Sequence, residues 1–266
     1  MSVVIIIPAR FQSSRYPGKP LVELRGAGGA ARSLIRRSWD AAMAVSGVDR
    51  VIVATDDDRI ADHAAGFGAE VAMTSTACRN GTERCAEVLG QLPVPPEMIV
   101  NLQGDAPLTP AWFVEDLIAG LRAAPAAEVA TPVLNCSGAM RADLIADRAA
   151  GRVGGTTAVF GVDRQALYFS KEVIPYVGHE VVPESPSPVF HHVGVYAYRP
   201  AALTAYAAWA EGTLERLEGL EQLRFLEHGR PVLCVEVEAR DREFWEMNNP
   251  ADVARIEQMM QRMGLA

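Results

Sequence analysis

Val3-Val4-Ile5-Ile6-Ile7 places five β-branched residues in a row, closed by Pro8. A run with no polar face suits a strand that is covered on both sides, as strands of parallel sheets are. Comparable apolar runs return at 51–55, 70–74, 98–102 and 129–134. Between them stand stretches at helical spacing: Leu34, Ile35, Trp39, Ala42 and Met43, then 60–68, 82–91 and 109–122. Strands alternating with helices predict stacked βαβ units, an α/β fold with a Rossmann-like, mostly parallel sheet flanked by helices.

The pattern weakens over 135–187. That stretch carries Gly154-Gly155-Thr156-Thr157, a strand-like Ala166-Leu167-Tyr168-Phe169 and a proline-rich segment at 182–188. It resumes with a strand over 193–198, a helix over 214–226, a strand over 232–237 and a closing helix from Pro250. The expectation is one domain over 1–266 with a soft internal boundary near 135, where residues 135–189 form an inserted arm. No internal repeat or low-complexity linker interrupts it.

A net charge of −8 argues against a nucleic-acid partner. No apolar run approaches the roughly 20 residues of a membrane span. The first residues lack the basic start and small-residue cleavage site of a signal peptide. Cys78, Cys85, Cys136 and Cys234 lack metal-site spacing and are expected to stay reduced. Together these features predict a cytoplasmic protein.

Chemistry concentrates after two strands. Ligands of open α/β sheets bind beyond the carboxyl ends of the strands. There, after 3–7, Pro8-Ala9-Arg10-Phe11-Gln12-Ser13-Ser14-Arg15-Tyr16-Pro17-Gly18-Lys19-Pro20 gathers three cations with no acid before Glu23. Prolines and a glycine keep the segment out of a helix, so Arg10, Arg15 and Lys19 can converge as a triphosphate requires; a solvated basic loop is the plainer alternative. Only two lysines occur, Lys19 and Lys171. A compact ammonium at 19 suits bridging phosphate oxygens and a departing group. After 98–102 comes Gln103-Gly104-Asp105, whose carboxylate suits Mg²⁺ held against phosphates or, alternatively, a turn before Pro107. Gly26-Ala27-Gly28-Gly29-Ala30-Ala31 fits a dinucleotide fingerprint but does not follow the first strand directly, so a turn is expected there.

These segments, taken together, resemble a known family. Ile7-Pro8-Ala9-Arg10, Ser14 to Leu21, Ala54-Thr55-Asp56, Gly81-Thr82-Glu83-Arg84 and Asn101 to Asp105 look like the CMP-Kdo synthetases, the 3-deoxy-manno-octulosonate cytidylyltransferases. The likeness continues through Ala166 to Ser170, His192-Val193-Gly194-Val195-Tyr196 and Leu220-Glu221-Gln222-Leu223-Arg224. It implies a nucleotide-diphospho-sugar-transferase-like fold, a homodimer built with the 135–189 arm, Mg²⁺ as cofactor, and CTP with a small acidic acceptor as partners. It assigns Pro8, Ala9, Arg10, Arg15, Lys19, Gly81, Arg84 and Gln103 to the nucleotide, with Arg10, Arg15, Lys19 and Asp105 as the catalytic set. Arg84, Gln103, His192, Tyr196, Glu221 and Gln222 fall to the acceptor, and Asp105 to the metal. Tyr196 equally suits a core position, and Glu221 and Gln222 equally suit a solvated helix face. His191-His192 has no second metal-spaced partner.

Three departures bear on the acceptor. Ala106 stands where the family has Glu, Asn248 where it has a second metal-binding Asp, and 154–159 replaces a lysine-bearing strand. Asn248 offers a neutral amide oxygen, a weaker ligand for a hard cation. The expected activity is CMP transfer from CTP, with Kdo as acceptor. A phosphonate acceptor such as phosphonoformate is the alternative, since fewer acidic groups would oppose its charge. A CTP-binding protein without turnover is a third.

Overall fold

The computed structural model describes residues 2–12, 16–152, 155–179, 181–240, 242 and 245–265. The chain forms two compact units, one of residues 1–115 with 239–266 and one of residues 116–238.

In the first unit, β1 (Val3–Ala9) lies parallel to β4 (Arg50–Thr55) on one side and to β6 (Met98–Leu102) on the other, with β5 (Glu70–Met73) beyond β4. Val3 to Ile7 are buried throughout, as the unbroken β-branched run requires. Helices α1 (Leu34–Met43), α2 (Asp58–Gly66) and α3 (Gly81–Gln91) supply the crossovers. Each starts at a polar cap whose side chain accepts a backbone N–H: Ser33 from Arg36, Asp57 from Arg59, Asn80 from Glu83. The Gly26–Ala30 stretch is a hairpin turn joining β2 (Glu23–Arg25) to β3 (Ala31–Ser33), with Gly26 N–H donating to the Ala30 carbonyl. It is a turn, as expected, and opens no dinucleotide-binding helix. The division between units falls inside α4 (Ala111–Ala123).

The second unit departs from the expected irregularity. β7 (Val129–Ser137) runs straight into α5 (Gly138–Ala149), capped by Ser137, and β8 (Thr156–Phe160) and β9 (Ala166–Ser170) follow as an antiparallel pair. β10 (Pro186–His192) pairs antiparallel with both β7 and β8. The strand expected over 193–198 is shorter: the chain breaks after His192, and β11 (Val195–Tyr198) pairs with the start of β7. α6 (Pro200–Ala208) follows. The single helix expected over 214–226 is two, α7 (Thr213–Glu218) and α8 (Leu223–Glu227), because Gly219 adopts a left-handed conformation with φ of 61°. β12 (Leu233–Val237) lies parallel to β7. The 135–189 stretch is thus a helix and sheet strands built on β7.

The chain returns to the first unit with α9 (Asp252–Arg262), whose Ile256, Met259 and Met260 pack with Leu24, Leu34, Leu108 and Met247. No described helix is long and apolar enough to cross a membrane.

Candidate active site

In the first unit the expected residues gather where parallel strands end. Pro8 and Ala9 close β1, and Arg10 follows, exposed to solvent. Gly104 sits so close to β1 that a methyl there would lie 2.7 Å from the Pro8 carbonyl oxygen. Gly81, which opens α3, is pressed in similarly: a methyl would lie 2.9 Å from Asn101 Nδ2 and 3.2 Å from both Gln103 Nε2 and Pro8 Cγ. Pro8, Gly81, Asn101 and Gln103 are therefore neighbours: Gly104 lets backbone approach backbone, and Gly81 leaves room for the side chains of Asn101, Gln103 and Pro8.

Lys19 stands on a 3-10 turn, Lys19–Leu21, whose loop folds back so that Gly18 N–H donates to the Phe11 carbonyl. Its ammonium donates to Asp105 Oδ2 at 2.6 Å and to the Met247 carbonyl at 3.0 Å. Met247 N–H donates in turn to the Asp105 carbonyl, which brings Asn248 beside Asp105 in the chain's path. Asp252 holds that segment by accepting the N–H groups of Asn248 and Asn249 and the Trp245 indole N–H. Its carboxylate is thereby engaged by two backbone N–H groups and one indole N–H. Arg15 lies outside the described residues, as does Gly154.

Arg84, which the resemblance assigns to the nucleotide and the acceptor, is buried. Its side chain is only 3% exposed, donating to Thr74 Oγ1 and, at 3.2 Å, to Asp56 Oδ2. It ties the ends of β4 and β5 to α3, a buried strut in which the Asp56 carboxylate meets its charge. Asp56 and Thr74 were not expected to matter, although Asp56 stood in a motif-like segment. Nor was the Met247 carbonyl, because a backbone group leaves no mark in residue type. Asn101 is fully buried, and neither atom of its amide has a hydrogen-bond partner among the described residues.

Asp105 fits a hard cation in part. Lys19 takes Oδ2, which leaves the other carboxylate oxygen, and the side chain is 27% exposed. No group of three described His, Cys, Asp or Glu residues is placed to hold a metal. A single carboxylate of this kind suits Mg²⁺ that keeps most of its waters.

In the second unit, His192, Tyr196 and Gln222 form one buried group. The Tyr196 hydroxyl donates to Gln222 Oε1 at 3.0 Å, and the His192 ring lies 5.5 Å from the Tyr196 ring and 4.9 Å from Phe169. Gln222 is 1% exposed, so it is not part of a solvated helix face. Glu221 sits beside it, half-buried, in the turn between α7 and α8. His192 Nε2 and Gln222 Nε2 are buried without hydrogen-bond partners among the described residues. Burial pushes the His192 imidazole down to about 3, with the neighbouring His191 adding to the effect, and it pushes His191 down to about 4. Both rings are therefore neutral at pH 7. Thr156 pairs opposite His192 and Thr157 opposite His191 across β8 and β10. The Thr157 hydroxyl is engaged by backbone, donating to the Glu172 carbonyl and accepting from Ile174 N–H.

Residues 4–236 match the model of a family described as cytidylyltransferase. A 3-deoxy-manno-octulosonate cytidylyltransferase of Maricaulis maris is 42% identical over 97% of this chain and 96% of its own. The mitochondrial enzyme of that name from Arabidopsis thaliana is 36% identical over 99% of this chain and 85% of its own. Among solved structures, a CMP:2-keto-3-deoxy-manno-octonic acid synthetase complexed with CTP superposes with a TM-score of 0.83 at 32% identity, covering 99% of this chain and all of that one.

Proposed function

The chain belongs to the cytidylyltransferase family, and from that membership we propose that it moves CMP from CTP to 3-deoxy-manno-octulosonate with release of pyrophosphate. The observation that carries this reading is the meeting of Lys19, from the loop after β1, with Asp105, just beyond β6, at 2.6 Å. A cation and a carboxylate at the ends of adjacent parallel strands are what a triphosphate needs to be held and neutralised.

In the proposed reaction a hydroxyl oxygen of the acceptor attacks the α-phosphorus of CTP. The bond from that phosphorus to the bridging oxygen breaks, pyrophosphate departs, and the hydroxyl proton is lost. The protein has little covalent work to do, so positioning and charge neutralisation supply the rate. Lys19, Arg10 and Arg15 act on the phosphates, and Gly81 and Gln103 shape the nucleotide's surroundings. Arg84 acts from beneath, by fixing the strand ends. Asp105, with Asn248 as a weak second donor, would hold Mg²⁺. Bound there, the ion would offset negative charge on the phosphate oxygens. His192, Tyr196, Glu221 and Gln222 serve the acceptor: His192 Nε2 and Gln222 Nε2, without partners among the described residues, are polar groups that a polyhydroxylated acid would satisfy.

A phosphonate acceptor keeps two supports, Ala106 and Asn248, each standing in place of an acid. In the 154–159 stretch, the Thr157 hydroxyl is taken up by backbone. Measuring kcat/KM for 3-deoxy-manno-octulosonate and phosphonoformate under the same CTP and Mg²⁺ decides between them. A preference of a hundredfold for the sugar acid, about 2.7 kcal/mol of transition-state discrimination, is expected. The reverse preference would overturn the assignment.

A further inference from the structure

Arg224 is the largest fully buried side chain among the described residues, at 0% exposure. A guanidinium in that position needs a full set of partners, because an unmatched buried charge is among the costliest features a fold can carry. It has them. Arg224 Nε and Nη2 donate to the two carboxylate oxygens of Glu215, each at 2.6 Å, and the guanidinium lies 4.0 Å from the centre of the Tyr206 ring. The Tyr206 hydroxyl reaches Glu215 Oε1 at 3.2 Å and the Glu221 carbonyl at 3.1 Å.

This network encloses the short turn that carries Glu221 and Gln222. On the α7 side, Glu215 is the residue whose carbonyl closes that helix, accepting from Gly219 N–H and Leu220 N–H. On the α8 side, Glu227, three residues beyond Arg224, accepts the N–H groups of Leu214 and Glu215 at the start of α7. Side chain and backbone of Glu215 are thus gripped from two points of α8. The gap between the two helices is bridged by ionic and aromatic contacts with fixed directions, where apolar packing alone would tolerate sliding.

We infer that Arg224, through its forked pair with Glu215 and the Tyr206 hydroxyl, is a positioning residue that sets where Glu221 and Gln222 stand for the acceptor. The bidentate fork fixes α8 against α7, Tyr206 transmits that register to the Glu221 carbonyl, and Gln222 is thereby held at 3.0 Å from the Tyr196 hydroxyl. The inference rests on the reading above that Glu221 and Gln222 contact the acceptor. Arg224 itself touches no substrate in it.

The test is the KM of each substrate in three variants of the full-length protein. Arg224→Met with Glu215→Gln removes both charges together, so no buried ion is stranded. Arg224→Lys keeps the charge and loses the fork, and it decides the matter if the double variant does not fold. Gln222→Ala reports on the acceptor reading directly. With wild-type circular dichroism, the network variants are expected to raise KM for 3-deoxy-manno-octulosonate about tenfold, the scale of losing one hydrogen bond to a charged ligand, while KM for CTP stays within about twofold. Adding Gln222→Ala to a network variant should cost much less than Gln222→Ala alone, because both act at the same place. An unmoved acceptor KM in a folded network variant, or equal rises for both substrates, would overturn the positioning role. If Gln222→Ala leaves acceptor KM unchanged, the acceptor reading itself falls, and this inference with it.

Discussion

Lys19 and Asp105 are 86 residues apart in sequence yet meet at 2.6 Å, partly open to solvent. A pair only partly buried contributes on the order of 1 kcal/mol to stability, and its place beyond the ends of β1 and β6 is where ligands of open α/β sheets bind. Lys19→Ala is expected to lower pyrophosphate release from CTP by about 10²-fold or more, the usual scale for removing one charge-stabilising donor, with little change in melting temperature. Near wild-type turnover in that variant would remove Lys19 from the catalytic set. The two histidines make the opposite kind of case. Burial depresses His191 and His192 from 6.5 to about 4 and about 3. The unfolded chain therefore binds protons between those values that the folded chain refuses. Stability is full above pH 6.5 and falls as pH drops toward 4, by up to about 1.4 kcal/mol per pH unit per histidine. Melting temperature measured at pH 7, 6 and 5 should fall across that range, where ordinary carboxylates titrate little, and His191→Asn should flatten the decline. A flat wild-type profile would contradict the neutral, buried assignment.

At the scale of elements, the strand ends of the first unit depend on how closely β6 can approach β1. Gly104 has no room for a side chain, since the obstruction is the Pro8 carbonyl, a backbone atom without rotamers. Gly104→Ala should therefore displace the Asp105 loop, lowering melting temperature by several degrees and weakening CTP binding together, as followed by calorimetric titration. Retained CTP affinity would show that the close approach is not needed. The strands and helices of this unit were legible because their hydrophobic runs are long and two-sided and their caps are explicit. Helix α5 was not. Only Gly138 and Leu144 are buried along it, so its apolar stripe is too thin to read, although Ser137 was available as its cap. The break at Gly219 escaped notice for a related reason: the apolar residues of 214–226 keep helical spacing across it, and a single left-handed residue leaves the pattern intact.

Across the whole molecule, the order of hydrophobic runs determined that the chain would begin as parallel βαβ units, and the positions of Arg10, Lys19, Gln103 and Asp105 just after strands determined where its chemistry would gather. Those are local properties: periodicity, β-branching, and which residue follows a strand. The second unit is antiparallel apart from the pairing of β12 with β7, and no local property announces it, because strand pairing is settled by what each strand meets. The same holds for side chains whose partners only the fold supplies. Arg84 reads as a cation available to a ligand until Asp56 and Thr74 are seen to enclose it, and Gln222 reads as a polar helix residue until Tyr196 reaches it. Arg224 stands in a run of ordinary helical residues, and only Glu215 and Tyr206 disclose why it is buried. Residue type sets what a group can bond to. Whether it is offered to a substrate or spent on the fold depends on partners distant in sequence and on the water excluded around them, which tertiary structure alone decides.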